Sequence, residues 1–238
     1  MLLYIIRHGE PDYATDSLTE RGILQAEAVG KRLAAAKIDK VFTSPMGRAK
    51  QTAEPTCRLL KLEPTVENWT EEITKYILLP FPDGTTKSIS SLQNTCFLED
   101  GKINLPFEKA TTETQFRDTK IEEAIKLLKT EGNAFLERLG YKYENGIYKI
   151  INPNEEKVAL FCHAAFTRAW LSELLHIPIH IMWASFSYNH TGVTVIEFQN
   201  NENGITAPKC LTYSDLSHLY AHGPDTDYGY TASRYISI

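Results

Sequence analysis

Short apolar runs along the chain alternate with stretches whose apolar residues recur every three to four positions. "LLYII" (2–6) has the length and content of a buried strand, closed off by Gly9. In "SLTERGILQAEAVGKRLAAAK" (17–37), Leu18, Ile23, Ala26, Ala28 and Leu33 fall at helical spacing, with Thr19 placed as N-cap. "KVFTS" (40–44) predicts a second strand, and "PMGRAKQTAEPTCRLLK" (45–61) a second helix. Pro45 suits the first position of that helix, and Pro55 is expected to kink it. Periodicity fades over 77–118, where "PFPDGTTKS" and "LEDGKINLP" are rich in turn residues. The segment 118–140 predicts a strongly amphipathic helix that ends at Gly140 and is bent or broken at Gly132. "YKYENGIYKI" (141–150) reads as a hairpin about Asn145–Gly146. "KVALFC" (157–162) is another buried strand, 165–175 a helix, and 192–198 and 209–214 further strands.

Strands alternating with helices at both ends predict an α/β fold, a three-layer α/β/α sandwich about a mainly parallel sheet. The chain, 1–238, reads as a single domain, with 77–156 as a cap inserted into it. Sites in such folds collect at the carboxyl ends of strands. That rule marks Arg7–His8, Ser44–Arg48 and His163.

Composition narrows the function. The 238 residues are 42% hydrophobic, enough for a sizeable core, and the formal net charge of −5 disfavours nucleic acid as a partner. No run approaches the roughly 18 apolar residues of a membrane span. The start "MLLYIIRHGE" lacks the pattern of a signal peptide. Cys57, Cys96, Cys162 and Cys210 are dispersed without a CxxC pair, which suggests reduced thiols in a cytoplasmic protein.

Against that acidic background, Arg7, His8, Arg48 and His163 form a local trap for anions. Guanidinium forks match phosphate oxygens, and the helix after His163 would aim free N–H groups at the same anion. A neutral imidazole is a competent nucleophile towards phosphorus when one nitrogen is held as a donor and the other is free.

"RHGE" after an N-terminal strand, "LTERGILQA", "TSPMGRAKQTAE" and "CHAAFTR" together resemble the histidine phosphatase superfamily, in the branch that holds phosphoglycerate mutases and many phosphatases. The likeness covers about 2–75 and 157–215. It implies that His8 is the nucleophile, that Arg7 and Arg48 bind phosphate, and that His163 is the second histidine. Ala164 stands where many members carry Gly, and its small side chain keeps the backbone near the phosphate. The family's acid lies in "TVENWTEEITKY", where Glu67, Glu71 and Glu72 compete and the resemblance favours Glu72. One departure is Ala14, at a position where many members have an Asn that Thr15 or Ser17 would have to replace. Pro11 and Asp12 also alter the loop beyond Glu10.

The resemblance implies a phosphatase acting on small phosphate monoesters through phosphohistidine, without metal or other cofactor. Two alternatives share these motifs: a phosphoglycerate mutase, and a non-catalytic phosphate or phosphopeptide binder. A mutase would hold a second acidic group with an adjacent arginine pair, and 77–156 contains none. Other residues read more plainly. Arg168 is expected at the surface or in an ion pair, and His190 in a turn. His218 and His222 are expected at an ordered edge or a loose terminus, and the charges of 118–139 on a solvated helix face. The sequence leaves the oligomeric state open.

Overall fold

The structure is a computed structural model, and it describes residues 1–81 and 83–220. Six strands make the main sheet: β1 (Leu2–Arg7), β2 (Lys40–Thr43), β3 (Thr65–Val66), β4 (Lys157–Cys162), β5 (Val193–Glu197) and β6 (Lys209–Asp215). Their order is β6-β5-β1-β4-β2-β3. Pairing is parallel from β1 through β4 and β2 to β3, whereas β5 runs antiparallel to both β1 and β6. The fold is therefore α/β with a mainly parallel sheet, and the apolar runs alone gave no sign that β5 reverses.

Alternate residues of the central strands feed two layers. Leu3, Ile5, Val158 and Leu160 face one apolar cluster, while Ile6, Ala159 and Phe161 face another. The second cluster is closed by α1 (Glu20–Ala36) and α2 (Gly47–Leu60), through Val29, Leu33, Ala53 and Cys57. The first is closed by α3 (Ile121–Arg138) and α4 (Ala164–Leu175), and residues from 77–156 such as Ile77, Ile89 and Phe116 share it. The short helices α5 (Ile179–Ser185) and α6 (Ser217–Tyr220) complete the described chain.

Thr19 caps α1 as expected, accepting from the Gly22 N–H at 3.1 Å. Helix α2 starts at Gly47 with Met46 as its N-cap, so Pro45 lies before the helix rather than in its first position. It continues through Pro55 to Leu60. Gly132 does not break α3: a Cβ there would lie 2.5 Å from Trp170 Nε1, and the glycine admits the indole against an unbroken helix. Asn145 and Gly146, at φ 51° and 94°, turn the hairpin between Tyr141–Glu144 and Ile147–Ile150. All four cysteines are free thiols. Among the described residues no helix is long and apolar enough to cross a membrane.

Candidate active site

The parallel register sets the site. Arg7 pairs with Cys162, so the next residues, His8 and His163, emerge side by side from adjacent strands. The His8 N–H donates to Cys162 O at 3.0 Å, and the Ser44 N–H to Phe161 O at 2.8 Å, which carries the β2 end to the same edge. The rings of His8 and His163 have centroids 5.2 Å apart. His163 is also the N-cap residue of α4, and its Nε2 lies 2.8 Å from Ser44 Oγ.

His8 Nδ1 lies 2.7 Å from Gly9 O. A carbonyl only accepts, so Nδ1 carries the proton and the lone pair resides on Nε2. Burial, reinforced by His163 and Arg7, holds His8 well below the usual histidine range. Burial, then Arg48 and Arg7, does the same to His163. Both imidazoles are thus neutral at physiological pH.

Arg7 donates from Nη1 to Tyr188 O at 2.5 Å, and its Nε has no partner. Arg48 is 5% exposed and pairs with the Asp16 carboxylate, whose other oxygen accepts from the Gly47 N–H at 2.6 Å. Asp16 has φ 51° and was not singled out in the sequence, because nothing in a polar turn shows which carboxylate folds inward. Thr15 and Ser17 do not reach the arginines: their hydroxyls bond each other, and that of Thr15 also bonds Asp12, in an exposed turn. The Tyr13 ring faces the Arg48 guanidinium at 5.4 Å from its centroid.

The structure separates the three glutamates. Glu67 is buried away from the histidines, accepting from Trp69 Nε1 at 2.8 Å and pairing with Arg138. Glu71 is exposed. Glu72 reaches the start of α4, where it accepts from the Ala165 N–H at 3.2 Å, the Phe166 N–H at 2.8 Å and its neighbour Ile73 N–H at 2.9 Å. The expectation that these helix N–H groups face the same anion as the histidines is corrected: two of them are taken by Glu72.

A cavity of about 420 Å³ opens here, lined by Arg7, Glu72, Ala164 and Arg168 together with Ser88 and Ser90 of the 77–156 segment. His8 and His163, 1% and 0% exposed, do not line it, although their chain neighbours Arg7 and Ala164 do. Arg168 is a correction. It sits neither at the surface nor in an ion pair among the described residues, but in the cavity wall. Helical side chains lean towards the N-terminus, so a long residue one turn into α4 reaches back to where Glu72 is seated. His190 does occupy a turn, with the Gly192 N–H donating to Asn189 O at 3.0 Å. The sequence did not show that its ring comes within 5.7 Å of the His8 ring, because that depends on the antiparallel return of β5. Burial and Arg7 bring His190 down to about 3. His218 is buried rather than at an edge, its Nε2 3.1 Å from Thr191 Oγ1. His222 lies outside the described residues.

No curated protein matches by sequence. Among solved structures, phosphoserine phosphatase from Entamoeba histolytica, in complex with 3-phosphoglyceric acid, is 21% identical with a TM-score of 0.59, over 92% of this chain and 98% of that one. Mycobacterial glucosyl-3-phosphoglycerate phosphatase is 16% identical, TM-score 0.60, over 90% and 98%. YhfR of Bacillus stearothermophilus is 19% identical, TM-score 0.60, over 91% and 98%. These likenesses show the fold. Residues 3–74 and 111–210 match the family itself, and the chain belongs to the histidine phosphatase superfamily, branch 1.

Proposed function

We propose that the protein hydrolyses small phosphate monoesters through a phosphohistidine at His8. One observation carries the reading: a neutral imidazole whose Nδ1–H is anchored on Gly9 O, set beside a second imidazole and two arginines at the edge of a sheet. In the first step Nε2 of His8 attacks phosphorus, the P–N bond forms and the ester P–O bond breaks. Arg7, Arg48 and His163 balance the charge spread over the phosphoryl oxygens. Glu72, the glutamate on the cavity wall, gives its proton to the leaving oxygen. It then takes a proton from water, which attacks the phosphohistidine and releases orthophosphate.

Arg48 meets an incoming phosphate already paired with Asp16, so phosphate takes over contacts that a carboxylate holds in the free protein. Hydrolysis is preferred to mutase transfer because, among the described residues, 77–156 brings Ile77, Ser88 and Ser90 to the cavity and no arginine. The phosphatases among the structural neighbours support the same choice. The test compares wild type with H8A on an aryl phosphate in the absence of divalent ions, with acid-quench trapping of labelled enzyme. Wild type forms an acid-labile phosphoenzyme and H8A does not; full turnover by H8A sinks the mechanism.

A further inference from the structure

The tip of β1, which carries Arg7 and His8, is gripped by the loop 188–192. Gly192 O accepts from the Arg7 N–H at 3.3 Å, and the Thr191 N–H donates to Arg7 O at 3.1 Å and to His8 O at 3.3 Å. Tyr188 O receives the Arg7 guanidinium, and the His190 ring stands 5.7 Å from that of His8. Thr191 is fully buried and has φ 53°, in the left-handed region. A β-branched residue rarely takes that conformation, and it persists only where its surroundings hold it. A directed chain of hydrogen bonds does so. Thr191 Oγ1 lies 2.8 Å from His190 O; a carbonyl only accepts, so the hydroxyl proton points there. The hydroxyl therefore accepts from the buried His218, whose Nε2 is 3.1 Å away and must carry the proton. The lone pair is then on Nδ1, 3.3 Å from Arg32 Nη1, which only donates. Arg32 is itself fixed on Asp215, from Nη2 to Oδ2 at 2.5 Å and from Nη1 to the carbonyl at 3.3 Å. Ser214, at the end of β6, adds a second hold on the loop by accepting from the Asn189 N–H at 2.8 Å.

We propose that Thr191 and His218 are positioning residues for the nucleophile: their hydrogen bond fixes the loop 188–192 and, through it, Arg7 and His8, so the segment from β6 to α6 serves catalysis without touching phosphate. The proposal rests on the phosphatase reading. Three features fit it. The pairing of β1 with β5 ends at Ile6 and Val193, so beyond that point the β1 tip depends on Thr191 and Gly192 along this side. His8 Nδ1 is anchored 2.7 Å from Gly9 O, the carbonyl of its own neighbour, so the ring follows the backbone, and a backbone shift at His8 turns the Nε2 lone pair away from phosphorus. The Arg7 guanidinium, seated on Tyr188 O, moves with the same loop. A misplacement of about 1 Å in a reacting group costs about 10²-fold in rate, so a loop that loosens slightly is felt in the chemical step.

The experiment measures kcat and the rapid-quench rate of phosphoenzyme formation on an aryl phosphate. H218L removes both ring nitrogens, and T191V removes the hydroxyl while keeping the branched shape. Each is expected to slow phosphoenzyme formation and kcat by about 10- to 100-fold. H218Q, whose amide offers one donor and one acceptor, is expected to recover most of the loss. The double variant H218L/T191V is expected to be no slower than the slower single one, because both break the same link. E67A, which loses a buried hydrogen bond away from the histidines, controls for destabilisation alone and is expected to hold kcat within about twofold. Unchanged rates in H218L and T191V, no recovery in H218Q, additive losses in the double variant or a matching loss in E67A overturn the proposal. A second arm needs no turnover: inorganic phosphate is titrated by calorimetry into wild type, H218L and H218Q. H218L is expected to bind about tenfold more weakly, as Arg7 leaves its place, and H218Q to restore the affinity; equal affinities overturn the assignment. If wild type hydrolyses no ester, the phosphatase reading falls and the phosphate arm alone judges His218. If H218L does not fold, T191V and T191S decide, with a loss in T191V that T191S recovers expected and equal rates in the two overturning.

Discussion

Acid strikes this fold at its site. His8, His163 and His190 are buried together, with ring centroids 5.2 Å and 5.7 Å from His8, and burial next to arginines holds all three below the usual histidine range. In the unfolded chain each would titrate near 6.5. Below that pH the unfolded state binds protons that the native state refuses, so stability falls as pH falls through 6.5 and is fully present above it. His190, held at about 3, then costs about 1.4 kcal/mol by pH 5.5, and His8 and His163 add to the loss in the same direction. Glu173, raised by burial, works in the opposite sense but carries a single proton. Total stabilities run at about 5–15 kcal/mol, so the loss is large enough to move a denaturation midpoint plainly. The assay is urea unfolding followed by tryptophan fluorescence at pH 7.5 and 5.5, with linear extrapolation to water. H190N should shrink the difference between the two pH values by about 1.4 kcal/mol, whatever it does to absolute stability. Equal stability at both pH values, or greater stability at 5.5, would refute the picture of three imidazoles kept neutral by burial.

Two further outcomes follow from the packing. E72Q is expected to lower kcat by about 10²–10⁴ on substrates with poor leaving groups and, because its amide turns a donor toward one of the α4 N–H groups, to cost about 1 kcal/mol of stability, whereas E67A should cost stability and spare kcat. E67A strands Trp69 Nε1, costing about 1–3 kcal/mol in a urea titration, and leaves kcat/KM within about twofold. G132A places a methyl against the Trp170 indole; overpacking of about 1–3 kcal/mol outweighs a helix-propensity gain near 1, and calorimetry should show a lower Tm.

The sequence reported strand ends better than it reported side-chain direction. "LLYII" and "KVALFC" are apolar on both faces, so they had to be central strands, and the residues just past them had to share an edge. That is why Arg7, His8 and His163 were legible. Arg168 and Asp16 were not, because their roles depend on how a helix is rotated and how a turn folds. Seen as text, Arg168 is one more cation on a helix; the signal available was the pair of alanines at 164 and 165, which leaves room on the same helix face. His190 was hidden by the reversal of β5, which an apolar run cannot encode. Gly132 misled in the other direction: a glycine inside a periodic helix reads as a weakness, yet it is a notch for the Trp170 indole.

The seating of Glu72 on the first turn of α4 has a mechanical consequence. His163 heads that helix and Arg168 follows one turn later, so three groups from two distant parts of the chain ride on one rigid rod. Tilting the rod carries the His163 imidazole, the Glu72 carboxylate and the Arg168 guanidinium together, preserving their spacing. A contact made at one end of the rod is thereby felt at the other, without any loop having to travel.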